Sequence, residues 1–132
     1  MKTQEEFILV SAPTQAGISF IRMLQMKRIP FAAITNNESE KKQLEQWGVS
    51  HVLMVDTTDN KTWVIPDLEI GEVFMFEHSL TLCCRYIQIC RAWTSKPIYV
   101  ITQSGNARLI YKGIGADYVI HSHGENLSFL LE

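Results

Sequence analysis

No apolar run in this sequence approaches the roughly 18 to 20 residues that crossing a bilayer requires. The opening Met1-Lys2-Thr3-Gln4-Glu5-Glu6 is polar and does not read as a signal peptide. The expectation is a cytoplasmic protein with no direct membrane insertion, so any link to a membrane runs through a partner protein. A dominant charge is missing as well. Twelve Lys and Arg against fourteen Asp and Glu leave a formal net charge of −2. The densest basic pair, Lys41-Lys42, lies among Glu38, Glu40 and Glu45, as on a solvated helix face, so nucleic acid is not an expected partner. Cysteine is scarce: Cys83, Cys84 and Cys90 are the three. An odd number inside one helical pattern argues against a disulfide framework, and no CxxC pair points to a metal. They read as buried thiols in a reducing compartment, and no metal site is expected.

What is present is the balance of a globular core, 46% hydrophobic and 20% charged over 132 residues. That length suits one domain, residues 1–132, and can bury a core without staples. Short apolar runs alternate with helical patterns. Phe7–Val10 reads as a strand buried on both faces. Gln15 to Lys27 reads as a helix that Arg28-Ile29-Pro30 ends. Phe31–Ile34 is a second strand. Asn37 caps a polar helix, Glu38 to Trp47, which stops at Gly48. His51–Val55, Val73–Phe76, Pro97–Ile101 and Asp117–Ile120 are further strands. Helices are expected over Ser79 to Trp93, with Ser79 as cap, and over Ser104 to Lys112. Leu127 to Leu131 reads as a final turn that packs or pairs with another chain. The expected fold is therefore α/β: a three-layer, Rossmann-like, doubly wound parallel sheet with strand order 3-2-1-4-5-6.

Such a sheet binds ligands outside the carboxyl ends of its strands, in the crevice between the first and fourth. The candidate segments are Ser11 to Gly17, Thr35 to Asn37, Asp56 to Thr58, Glu77 to Ser79 and Thr102 to Gly105. A dinucleotide site wants glycines in the first turn, for the tight bend, the approach of the pyrophosphate and close helix packing. Here the turn reads Ser11-Ala12-Pro13-Thr14-Gln15-Ala16-Gly17, and only the last glycine remains. Thr14 puts a side chain where phosphates would meet bare backbone, and Pro13 removes one amide donor. The helix N-terminus still offers amides to a phosphate or a mononucleotide. The other reading makes Gly17 a packing glycine only.

The second strand ends at Thr35-Asn36-Asn37, where a ribose-binding acid is expected; Thr35 and Asn36 can hydrogen-bond a ribose, or the asparagines can simply cap the next helix. Asp56 can approach an adenine edge or cap its own turn. Glu77-His78-Ser79 sits at the expected crevice and lines or caps it; adjacent residues rarely converge as a catalytic triad, so no catalytic residue is assigned. His121 and His123 share one side of the last strand, too few ligands for a firm metal site. The apolar stripe Cys83, Tyr86, Cys90 and Trp93 suits a core or a dimer interface.

This layout resembles the N-terminal nucleotide-binding domain of potassium-transport regulators, the RCK, KTN or Trk-type domains. Phe7 to Leu24 stands where that family has its strand, glycine turn and helix. Val55-Asp56-Thr57-Thr58-Asp59 is similar to the family's Gly-Asp-Ala-Thr-Asp segment, with Val55 for the glycine. Gly113-Ile114-Gly115-Ala116-Asp117-Tyr118-Val119-Ile120 is similar to its closing helix-to-strand signature. The resemblance implies a regulatory module sensing NAD(H) or an adenine nucleotide, a homodimer formed through helical faces, and a membrane-transporter partner. Its binding residues would be Ser11, Ala12, Pro13, Thr14, Gln15, Gly17, Thr35, Asn36, Asp56, Glu77 and His78. A degenerate member working through protein contacts alone would keep the same fold. The alternative is a small NAD(P)-dependent oxidoreductase, since the turn also resembles the GATGxxG of atypical short-chain dehydrogenases with two glycines lost. Their YxxxK is absent: Tyr86, Tyr99, Tyr111 and Tyr118 are followed four residues on by Cys90, Gln103, Gly115 and Ser122. A binding module is therefore favoured over an enzyme.

Overall fold

The computed structural model describes residues 5–58, 64, 66–103, 107–122 and 128–131. Six strands, β1 Glu6–Ser11, β2 Phe31–Thr35, β3 Val52–Met54, β4 Glu69–Phe76, β5 Ile98–Thr102 and β6 Tyr118–His121, form one parallel sheet. Their order is β3-β2-β1-β4-β5-β6, as expected from the alternation of strands and helices. The helices are α1 Gln15–Met26, α2 Glu38–Gln46, α3 Leu80–Trp93 and α4 Arg108–Gly113, and a 3₁₀ turn spans Ser128–Leu131.

Three of the four helices start where the chain supplies a side-chain cap. Thr14 accepts the Gly17 N–H at 3.1 Å, Asn37 accepts the Glu40 N–H at 2.7 Å, and Ser79 accepts the Leu82 N–H at 3.3 Å. In α1 the buried residues are Gly17, Phe20, Ile21 and Leu24, the spacing of one helical face. They cover one side of the sheet, where Phe20 packs between Phe74 (ring centroids 4.8 Å) and Phe76 (5.4 Å). Leu44 of α2 joins this layer, and so does Leu130 of the closing turn. Cys83, Tyr86, Ile87, Ile89 and Cys90 of α3, with Tyr111 of α4, cover the other side against Leu9, Ile34, Met75 and Val100. The sheet is thus buried on both faces, which is why its strands read as continuous apolar runs.

Two elements differ from the sequence expectation. Strand β4 begins at Glu69, four residues before Val73. Its start pairs Glu6 with Glu69 and Phe7 with Ile70, and the register shifts before Leu9 meets Val73. This bulge, with Gly71 and two glutamates, breaks the apolar pattern that marks a buried strand. The buried Thr94 hydroxyl holds the bulge from α3's end, donating to the carbonyls of Ile70 (3.0 Å) and Gly71 (3.1 Å). Helix α4 begins at Arg108; residues 104–106, expected to open it, lie outside the described residues.

The signature Gly115-Ala116-Asp117 turns out to be a tie within the fold. Gly115 has φ +129°, a region L side chains rarely adopt, and a Cβ there would lie 2.9 Å from Arg91 Cδ. Arg91 donates to the Gly115 carbonyl (2.9 Å) and to Asp117 (3.0 Å), and also to the carbonyls of Thr94 and Lys96. Asp117 accepts the Ile98 N–H at 2.8 Å. One guanidinium therefore joins α3's end, the entry to β5 and the entry to β6.

Candidate functional site

The parallel order places the ends of β1 and β4 side by side at the reversal of strand sequence, where a crevice opens in this kind of sheet. Ser11, Pro13 and His78 meet there, with Ser79, Leu82, Cys83 and Tyr86 from the start of α3. Among these residues the free volume is about 10 Å³, room for about one water.

The first turn explains part of this closure. Ser11 and Ala12 are buried, so both belong to the wall. The Thr14 hydroxyl takes up the Gly17 amide, one of the donors that a phosphate would use. The amides of Gln15 and Ala16, in the same first turn, have no acceptor within the helix. Gly17 does the packing work of the third glycine: a Cβ on it would lie 2.7 Å from Ala12 Cα and 2.8 Å from Ala12 Cβ. Both expectations for this turn thus have a physical counterpart, a tightly packed glycine and a helix end that is partly open.

On the β4 side, Glu77 holds the sheet together. One carboxylate oxygen accepts the Thr102 hydroxyl at 2.6 Å, and the other accepts the hydroxyl of the fully buried Tyr111. The carboxylate thereby links the ends of β4 and β5 to α4. Burial first, then Glu77, holds the Tyr111 phenol well above its usual range. Burial also pushes the nearby Cys83 thiol up to about 12, even though a hydrogen bond with Tyr111 works the other way. A thiol that stays protonated at neutral pH is a poor nucleophile. His78 is exposed and lines the crevice.

On the β2 side, Thr35 is fully buried and its hydroxyl accepts the Asn37 N–H at 3.4 Å. Asn36 and Asn37 are exposed and hydrogen-bonded to each other (3.2 Å). Asp56, also exposed, accepts both the N–H (2.9 Å) and the hydroxyl (2.6 Å) of Thr58, and these bonds hold its carboxyl below the usual range. It closes an Asx turn. Ser104 and Gly105 lie outside the described residues, as does His123. His121 Nε2 is hydrogen-bonded to the Gln103 carbonyl.

Two residues near the crevice escaped the sequence reading. Tyr86 entered it as part of an apolar stripe and as a tyrosine without the YxxxK lysine, yet its side chain reaches the crevice wall. Glu40 looked like one charge on a solvated face, but it is half-buried. Burial raises its carboxyl, and its charge in turn acts on Tyr86. The Asn37-x-x-Glu40 spacing, that of a capping box, is the signal that turns this glutamate back toward the strand end.

A second concavity of about 560 Å³ lies at the opposite, amino end of the sheet, lined among others by Phe7, Gln25, Arg28, Phe31 and His51. Among the described residues no group of three or more His, Cys, Asp or Glu is arranged to hold a metal, and no helix is long and apolar enough to cross a membrane.

No family model and no curated protein matches the sequence. Solved structures do match the fold. The TrkA-N domain of the inner membrane protein ybaL from Escherichia coli superposes with a TM-score of 0.70 at 15% identity, over 99% of this chain and 97% of that one. The NAD(P)-binding domain of an exopolyphosphatase-related protein from Archaeoglobus fulgidus gives 0.68 at 18% identity, over 98% and 92%. The GsuK channel bound to NAD gives 0.70 at 17% identity, over 91% of this chain and 22% of that one. The chain has the Rossmann-like fold of TrkA-N and RCK domains.

Proposed function

We propose that this chain is a regulatory module that binds an adenine nucleotide, NAD(H) included, at the carboxyl ends of β1 and β2. The observation that carries the reading is the start of α1, where the Gln15 and Ala16 amides stand at the strand-order reversal next to the end of β2 at Thr35. The likeness to an NAD(P)-binding domain and to a channel bound to NAD supports the ligand class. A mononucleotide uses only the β1–α1–β2 half. A dinucleotide also uses the β4 half, beside Leu82 and Tyr86. The output is a ligand-biased change in homodimer geometry passed to a membrane-transporter protein from the cytoplasmic side, which requires the ligand to bind two states unequally. The reading is of a single-domain module in which binding is favoured over catalysis. Both oxygens of Glu77 are engaged and Cys83 is held protonated, so neither supplies acid–base or nucleophilic chemistry.

A second reading is favoured by one observation, the 10 Å³ left among Ser11, Pro13, Leu82, Cys83 and Tyr86: a module that has lost its ligand and works through protein contacts. Thermal unfolding with millimolar AMP, ADP, ATP, NAD, NADH and NADPH separates the two. A ligand at 100 times its Kd adds about 2.7 kcal/mol, a rise of several degrees in Tm. A selective rise supports the nucleotide reading. No rise with any of the six leaves the module that works through protein contacts.

A further inference from the structure

We propose that the concavity at the amino end of the sheet is a second binding site, for a free amino acid with a large apolar side chain. This site is independent of the nucleotide reading.

The concavity, about 560 Å³, lies between the carboxyl ends of α1 and α2. Small-molecule sites occupy roughly 300 to 1,000 Å³. Both helices close in the same way. The Arg28 and Ile29 amides donate to the carbonyls of Gln25 (3.2 Å) and Leu24 (3.0 Å), and the Gly48 and Val49 amides donate to those of Glu45 (3.1 Å) and Leu44 (3.1 Å). The residue just past a helix closed in this way is left-handed, and glycine is its usual occupant. Helix α2 has Gly48 there, at φ +88°, whereas α1 has Arg28, at φ +55°. Both line the concavity. The Gln25 side chain ties the two helix ends together by donating to the Trp47 carbonyl at 3.1 Å.

An arginine in this backbone region carries strain that glycine does not. The preference of helix C-termini for cations does not account for it, because Lys27 supplies that charge from right-handed backbone at φ −85°. Arg28 is exposed and has no ion pair among the described residues. Glu5 lines the same concavity, also exposed, and the two unlike charges do not meet. Much of the remaining lining is apolar: Phe7 and Phe31 are half-buried, and the His51 ring meets Phe7 edge-on at 5.0 Å. One positive and one negative side chain, held apart beside an apolar surface, match a zwitterion with an apolar side chain. Its carboxylate pairs with the Arg28 guanidinium in a forked geometry. Its ammonium goes to Glu5 and the negative ends of the two helix dipoles. Its side chain covers Phe7 and Phe31. A phosphate dianion suits the site less, because one guanidinium would face it together with a carboxylate and two helix C-termini.

The test is titration of the isotopically labelled full chain with L-phenylalanine, followed through the backbone amide resonances. Saturable shifts are expected at Phe7, Phe31, Gly48 and His51 with millimolar ligand. 3-Phenylpropanoate, which lacks the ammonium, and phenethylamine, which lacks the carboxylate, should each bind about tenfold more weakly, the weight of a charged hydrogen bond. Arg28→Gly should weaken L-phenylalanine by about the same factor while its Tm holds or rises, since α1 would then close as α2 does at Gly48. Glu5→Gln, at an exposed position, should weaken it as well. Lys27→Gln, at a neighbouring cation outside the lining, should bind as the wild type does. Unchanged affinity in Arg28→Gly, equal binding of 3-phenylpropanoate, or no saturable shift in the wild type would each overturn the proposal and leave the nucleotide reading standing. If AMP moves the same four amides, the concavity is a nucleotide site, and both readings fall.

Discussion

Replacing Gly17 with alanine sets two opposed effects against each other. Alanine is favoured over glycine by about 1 kcal/mol inside a helix, and by less in the first turn, where Gly17 lies. Against this, the new Cβ would sit 2.7 Å from Ala12 Cα, 2.8 Å from Ala12 Cβ and 3.1 Å from Phe76 Cγ. Comfortable separations between carbons begin near ~3.5 Å. Helix α1 would have to back away by most of an ångström, and the nearest obstacle is backbone. Overpacking of this kind costs about 1 to 3 kcal/mol. The expected net loss is about 1 to 2 kcal/mol, several degrees in Tm. Urea unfolding followed by circular dichroism reads the same loss as a fall of roughly 0.5 to 1 M in midpoint. Adding Ala12→Gly takes away the methyl that the new side chain strikes but leaves the backbone beside it, so the double variant should recover only part of the loss. A Gly17→Ala protein more stable than wild type would show that helix propensity wins, and that Gly17 is not what sets the approach of α1 to the sheet.

Other positions carry their own expectations. Arg28 sits at φ +55°, where the chain leaves α1 and glycine is the usual residue. Arg28→Gly should therefore raise stability by about 0.5 to 1 kcal/mol, measurable by urea unfolding; a loss would mean that the arginine side chain contributes more than its backbone strain costs. Burial works to raise the Asp117 carboxyl, but the Ile98 N–H and Arg91 outweigh it and leave it below its ordinary value. A carboxyl depressed on folding stabilises above its unfolded pKa near ~3.9 and loses that contribution as pH falls through the lower folded value. Wild type should thus lose stability relative to Asp117→Asn on acidification below about pH 4; parallel profiles would remove the charge from this account. The thiols should also differ. Cys83 and Cys90 are buried, with burial raising both thiols, Cys83 to about 12, while Cys84 is only half-buried. A disulfide reagent at about pH 8 should modify Cys84 first, and the other two only on unfolding, as mass spectrometry of the labelled peptides would show.

The fold was legible because its evidence is local and periodic. Apolar runs such as Phe7–Val10 and Phe31–Ile34 suit strands covered on both faces, and Asn37, Ser79 and Gly48 mark helix ends through bonds and backbone angles set within a few residues. The site was less legible because its bonds are long-range. Glu77 looked like a crevice residue, but its partners Thr102 and Tyr111 lie 25 and 34 residues away. The Gly115-Ala116-Asp117 signature suggested a family trait, and its physical role emerges only with Arg91 beside it. Thr14 looked like a lost glycine, although the same hydroxyl that blocks close phosphate approach also caps α1. Local spacing did hold a clue to Glu40, three residues after a capping asparagine, but its burial depends on how α2 lies against β2.

The central claim, that the carboxyl ends of β1 and β2 hold an adenine nucleotide, is tested most directly by titrating AMP into isotopically labelled protein and following the backbone amide resonances. The account predicts saturable shifts concentrated at Gln15, Ala16, Asn36 and Asn37, with the amino-end concavity around Phe7 and His51 unmoved. Shifts centred on that concavity, or none at millimolar AMP, would contradict it.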